Sequence, residues 1–215
     1  ADVVNHEATA RQIAEFDQVC DDLKLIGLLP SRVHIANSSA TMNHVGIAGQ
    51  MKNAPTMTRV GIAMYGIAAD AQNNSFGVAT GEALQRVMSL KARVSHVQWL
   101  GEGEAVSYGL HRTLNQRSCI ATLPIGYADG LPRGLWTTGE VLIGGKRRPF
   151  AGVVTMDQVM INCESNDVQI GDEAVLIGQQ GESQITANDW ARQLGTIGYE
   201  IVCGISARVP RNYLR

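Results

Sequence analysis

GEAVSYGLHRTLNQRSCIATLPIGYADGLPR, residues 103–133, holds two tyrosines in a chain where aromatics are only 5% of residues. Each tyrosine precedes a small residue (Tyr108-Gly109, Tyr127-Ala128) and follows an apolar or alternating run, Ala105-Val106 or Cys119 to Leu123. That pattern predicts strand, then turn, with a phenol carried at the strand end. A glycine after the tyrosine lets the backbone turn sharply and approach another surface. A lone tyrosine in such a run is more often a half-buried strand aromatic. The pair therefore gains weight only from what surrounds it.

Downstream and just upstream lie more β-type runs: Arg93 to Val97, Glu140 to Ile143, Phe150 to Val154, Val159 to Asn162 and Ala174 to Ile177. Gly144-Gly145 is a two-residue hairpin turn between two of them. One helix is predicted, Ala187 to Leu194, with Thr186 as N-cap and Asp189 closing a capping box. This half reads as a mainly antiparallel β domain. The first 70 residues have another character. Ile13, Phe16, Cys20 and Leu23 recur at helical spacing between charged residues, predicting an amphipathic helix from near Asn5 to before Gly27. A short strand, Arg32 to Ala36, closes on Asn37-Ser38-Ser39, and residues 40–56 read as loop with one helical turn. Thr58 to Tyr65 is nearly all apolar after Arg59, as expected of a parallel strand covered on both faces. Asp70 to Gly81 is turn-rich and reads as the linker. The fold class is an α/β fragment followed by a β domain. Two strands cannot close a barrel, so the α/β part is expected to be the tail of something larger.

The 215 residues suffice for one large or two small domains with a sizeable core. A net charge of −2 offers no electrostatic attraction for nucleic acid or an anionic membrane. No apolar run reaches the roughly 18 residues of a membrane span. The start has no secretory pattern and no initiator Met, so the chain is expected to begin within a longer protein. Four scattered cysteines make neither a zinc motif nor a disulfide framework, and they suggest a cytoplasmic, reducing location.

Four clusters can carry chemistry. His34-x-Ala36-Asn37-Ser38 ends a strand, where α/β folds bind ligands. Asn37 or Ser38 there can hold a phosphate or simply cap the next element. Arg59 opens an apolar strand before Gly61-Ile62, so its charge must be paired, reach a polar cavity or snorkel to a rim. The tyrosine pair is third. Met156-Asp157-Gln158 between two strands is fourth, and in isolation reads as an Asp turn.

In order and spacing, HIANSSAT, RVGIAMYG, VSYG, ATLPIGYADG, RPFAGVVTMDQVMIN, GDEAVLIG and TIGYEIVCGISARVPR resemble the C-terminal part of alanine racemase. The resemblance implies that residues 1–79 are the last part of a pyridoxal 5′-phosphate (PLP)-binding TIM-type (β/α)8 barrel, and residues 80–215 the C-terminal β domain. Racemisation takes the α-proton from one face of the substrate and returns it on the other, so two bases face each other. In the family one is the PLP-binding lysine and the other a tyrosine, here Tyr108 by its SYG context. A free phenol titrates near pH ~10 and needs neighbouring cations or hydrogen bonds to act as a base at neutrality. His34 and Arg59 are expected in that supporting network, and the resemblance places Arg59 at the pyridine nitrogen. Ser38, the backbone at Gly61-Ile62, and Tyr199 fall at phosphate-binding positions, with Asn37 also expected among the cofactor-binding residues; Tyr127 falls at the substrate entrance, and Met156 and Asp157 near the substrate carboxylate. It also implies a head-to-tail homodimer in which Tyr108 acts in trans.

The family's V-K-A-[DN]-[AG]-Y-G-H-G lysine segment has no counterpart, and Lys24, Lys52, Lys91 and Lys146 lie in other contexts. The chain by itself is therefore expected to be inactive. Thr155 and Gly198 stand where the family usually has Cys and Asn, and the stretch from Asn37 to Arg59 is longer than is common. Two rival readings are a racemase of broader specificity, acting on serine, and a non-catalytic β domain that dimerises or binds a partner. Turnover of L-alanine against L-serine separates the first, and the effect of Tyr108→Phe separates the second.

Overall fold

A computed structural model describes residues 7–43, 52–53, 56–67, 84–165 and 167–214. Two compact units divide the chain, Ala1–Val87 and Met88–Arg215. The expected linker at 70–81, and the start of the first helix near Asn5, lie outside the described residues.

In the first unit, helix α1 (Glu7–Leu25) follows the predicted apolar spacing. Its Ile13 and Phe16 pack with Ile35 on a small core of Ala36 and Ala40, and Cys20 is buried. Strand β1 (His34–Asn37) runs directly into helix α2 (Ser38–Asn43), which is the helical turn expected after residue 40. Strand β2 (Met57–Arg59) pairs with β1 in parallel, His34 opposite Met57 and Asn37 opposite Arg59. Asp17 of α1 accepts the backbone N–H groups of Lys52 and Asn53, and Asp21 accepts Lys52 Nζ at 2.7 Å, which ties this stretch to the helix.

The long strand expected over 58–65 does not form. Three residues pair, then the chain enters a 3-10 turn at Ile62–Tyr65. The reason is local. The buried Ser38 hydroxyl accepts the N–H groups of Gly61 (3.0 Å) and Ala63 (3.4 Å), which a continued ladder would have used. The apolar pattern is instead spent on burying Ile62 and Ala63.

Every strand pair in the second unit is antiparallel, as predicted. One sheet is built on β9 (Glu173–Gln180), which pairs with β3 (Leu90–Arg93), β6 (Glu140–Ile143) and β10 (Ser183–Ile185), while β7 (Lys146–Pro149) pairs with β6. The other orders β4 (His96–Leu100), β5 (Ser118–Leu123) and β8 (Val159–Asn162). Leu123, Leu142, Phe150, Ile161, Leu176 and Trp190 are fully buried in the core.

Two predicted strands are corrected. The run Arg93–Val97 is the junction of β3 and β4. Val94 there donates its N–H to Asp172, whereas Ser95 donates to Thr122 of the other sheet. Phe150–Val154 is not a strand beyond a single bridge from Phe150 to Ile161. The Gly144-Gly145 turn, with both φ angles positive, folds the polar Lys146–Pro149 back on β6 instead. Helix α3 (Ala187–Leu194) has the predicted Thr186–Asp189 capping box. A second helix, α4 (Gly198–Gly204), was not expected from the sequence, since its two terminal glycines obscure it.

Candidate active site

In the first unit Asn37 and Arg59 end β1 and β2 and Ser38 follows β1 directly, whereas His34 stands at the opening of β1. Asn37 Oδ1 accepts the N–H of Ala40 at 2.9 Å, so its side chain caps α2. Arg59 Nη1 lies 2.8 Å from His34 Nδ1. A guanidinium only donates, so in this contact the imidazole accepts through Nδ1. Arg59 and Asn37 also line a cavity of about 150 Å³ beside Thr9, Gln12 and Ile13 of α1. Arg59 is exposed and its partner is an imidazole, not an acid, so of the three expectations for this charge it is the rim position that the side chain takes.

The second unit has a cavity of about 500 Å³ lined by Tyr108, Tyr127, Arg133 and Val153 through Gln158. Both sequence clusters from this half, the two tyrosines and Met156-Asp157-Gln158, thus share one cavity. Neither tyrosine is a strand residue. Each stands in a 3-10 turn, Tyr108–Leu110 and Tyr127–Asp129. Tyr108 is 78% exposed, so its phenol is not part of the hydrophobic interior.

The backbone around Tyr108 is held in costly conformations. Ser107, Gly109 and Leu110 have φ of 70°, 74° and 50°, and only one of them is glycine. A Cβ on Gly109 would overlap the His111 imidazole. Ser107 is locked by donating its hydroxyl to Val153 O at 3.0 Å. Left-handed non-glycine residues persist only where surrounding structure fixes them, and they concentrate at functional sites.

Tyr127 is placed by a second device. Its N–H and that of Ala128 each donate at 3.0 Å to Thr155 O and Met156 O, zipping the turn after β5 to the Met156-Asp157 turn. A Cβ on Gly126 would overlap both carbonyls, so only glycine permits the approach. Asp129 Oδ2 accepts the N–H of Gly126 at 2.9 Å and closes the turn.

Residues 87–213 match the model for the alanine racemase C-terminal domain, and residues 1–69 the alanine racemase N-terminal domain. The chain belongs to the alanine racemase family. It is 42% identical over 214 residues to the alanine racemase of Symbiobacterium thermophilum and 41% over 216 to that of Halothermothrix orenii. In both cases 99% of this chain aligns, and it spans about half (54%) of the relative's length. Alanine racemase from Bacillus anthracis, solved with bound L-Ala-P, superposes on the whole chain with TM-score 0.87 at 38% identity, over 53% of its own length. The enzyme from D-cycloserine-producing Streptomyces lavendulae superposes with TM-score 0.85 at 34% identity, over 100% of this chain and 54% of its own.

Against the alanine racemase motifs, Ser38, Gly61 and Ile62 come together in the first unit around the Ser38 hydroxyl, while Tyr199 lies on α4 in the second. Sequence reading missed Arg133, Asp129 and Arg208. Asp129 stands inside the quoted YADG motif, where its capping geometry was a usable signal. Arg208 stands inside the quoted TIGYEIVCGISARVPR motif, but its partner Asp157 is 51 residues away and no local pattern marks the pairing.

Proposed function

We propose that this chain is the C-terminal portion of a PLP-dependent alanine racemase, which interconverts L- and D-alanine and so supplies D-alanine for peptidoglycan. Tyr108 is the base on one face of the substrate α-carbon, and a lysine from the upstream barrel is the base on the other. The observation that carries this reading is the exposed Tyr108 phenol on a backbone fixed in left-handed conformations, beside Tyr127, Met156 and Asp157 in one cavity.

The residues present fit part of a PLP site. Ser38 accepts two backbone N–H groups through its hydroxyl oxygen, which leaves its own proton to donate to a phosphate oxygen. The buried Ser39 hydroxyl has no partner among the described residues. Arg59, whose Nη1 meets the His34 ring nitrogen, would present a pure donor to the cofactor's ring nitrogen. When bound, PLP supplies the electron sink that makes the α-proton removable. Donation from Arg59 would weaken that sink and so favour racemisation over transamination. Lys52, Lys91 and Lys146 each form a surface ion pair and fit no anchoring role.

Tyr108 takes the α-proton on its face and returns it on the reverse turnover. Tyr127, Met156 and Asp157 bound the approach to it. The protein works as a head-to-tail homodimer, with Tyr108 reaching the partner's barrel. Four free cysteines suit a reducing compartment, which makes the cytoplasm the proposed location.

Tyr108→Phe in the full-length protein tests the assignment. The rate of alanine racemisation is expected to fall by about two orders of magnitude or more, as for loss of a general base. A rate within a few fold of the parent would contradict it and favour a binding module.

A further inference from the structure

Arg208 does not line the cavity that holds the two tyrosines, yet both of its ionic partners belong to the turns that shape it. Its Nη2 donates to Asp157 Oδ1 at 2.7 Å, and its Nε lies 3.3 Å from Asp129 Oδ1. Asp157 is a wall residue with a half-exposed side chain. Asp129 is nearly buried, with 12% of its side chain exposed, in the turn that carries Tyr127. The strand of chain bearing Arg208 is fixed as well. Ser206 donates its N–H to Asp129 O at 3.0 Å, and the Arg211 guanidinium binds the carbonyls of Ile205, Ser206 and Val209.

The charges at this wall are therefore two carboxylates, Asp129 and Asp157, and two guanidiniums, Arg133 and Arg208. One cation serves both acids. Without it the wall would carry two negative groups against one positive, and the nearly buried Asp129 side chain would be left, among the described residues, with the Gly126 N–H as its donor. A racemase cavity must admit an α-carboxylate. Coulomb repulsion from an uncompensated acid in the wall opposes that, and salt relieves it only in part.

We propose that Arg208 is a positioning residue that neutralises Asp129 and Asp157 together, so that the cavity accepts an anionic amino-acid carboxylate instead of repelling it. The inference rests on the racemase reading above. It assigns Arg208 no contact with the substrate. Its role is to keep the Tyr127 turn and the Met156-Asp157 turn in register and their charge balanced.

The test is steady-state racemisation of L-alanine by the full-length protein at low and at high ionic strength. Arg208→Met is expected to raise KM about tenfold at low salt, the effect of one unbalanced charge near the surface. kcat should change far less, and the KM penalty should shrink as salt rises. Arg208→Lys should restore most of the affinity, and Asp157→Asn added to Arg208→Met should recover much of it. Should Arg208→Met fail to fold, Asp157→Asn alone gives the opposite sign: Arg208 keeps Asp129, two guanidiniums then face one carboxylate, and the surplus positive charge lowers KM at low salt while salt removes the gain. A KM penalty that ignores salt and is not relieved by Asp157→Asn would overturn the proposal. So would an Asp157→Asn enzyme with unchanged KM at both salt levels. A parent enzyme that racemises no amino acid would instead strike the functional reading itself, and this inference with it.

Discussion

At Cys163, burial beside β5 and β8 pushes the thiol up to about 11, with Arg148 opposing the shift only in part. Burial raises Cys119 and Cys20 as well, whereas Cys203 is exposed. Since the thiolate is the nucleophile, alkylation of the native protein at pH 8 should label Cys203 and spare the other three. Peptide mass spectrometry reads this directly, and rapid labelling of Cys163 would contradict the packing. Asp167 makes a complementary pH prediction. Lys146, Ser165 and Arg148 hydrogen-bond its carboxylate and hold it well below the usual carboxylate range. A group whose folded value is depressed stabilises the fold above the unfolded value, and that stabilisation is lost as pH falls through the folded value. Asp167→Asn should therefore melt below the parent at pH 7, and the gap should close as pH drops below about 4. Solvent reaches Asp167, so the difference is modest. A gap that widens in acid would refute the assignment.

Among the elements, helix α3 was readable to the residue, because capping is local: Thr186 accepts the N–H of Asp189 and Asp189 accepts that of Thr186. Thr186→Ala should cost about 1 kcal/mol of stability by thermal or urea unfolding. Strands β5, β6 and β8 were equally legible, since each alternates or runs apolar into a fully buried core. β7 was not, because Lys146-Arg147-Arg148 carries no strand signature. Its pairing is imposed by the glycine turn, by Glu140 on Arg147, and by the buried Arg148 held to Asp167. The 58–65 run failed for the same kind of reason: the Ser38 hydroxyl, 23 residues from Gly61, takes the donors a strand needs. In the site, the tyrosines and Met156-Asp157 were visible as motifs. Their common cavity depends on the zipper at Gly126, which only the fold reveals. Gly126→Ala should cost at least about 2 kcal/mol, since a Cβ meets two carbonyls that cannot move independently. It should also slow turnover, measured beside the melting temperature.

Over the whole molecule, the chain spans about half the length of its curated relatives, and each unit carries part of a site. The Ser38, His34 and Arg59 cluster lies in the first, and the Tyr108 cavity in the second. The chain alone is expected to turn over no L-alanine, and mixing it with the lysine-bearing barrel portion should restore activity together with the absorbance band of lysine-bound PLP. The central claim, that the phenol of Tyr108 is one of two opposed bases, is reached most directly by solvent exchange in D2O. Full-length Tyr108→Phe should still wash deuterium into the α-position of one alanine enantiomer while losing that exchange for the other. Equal exchange of both enantiomers at parental rates would contradict it.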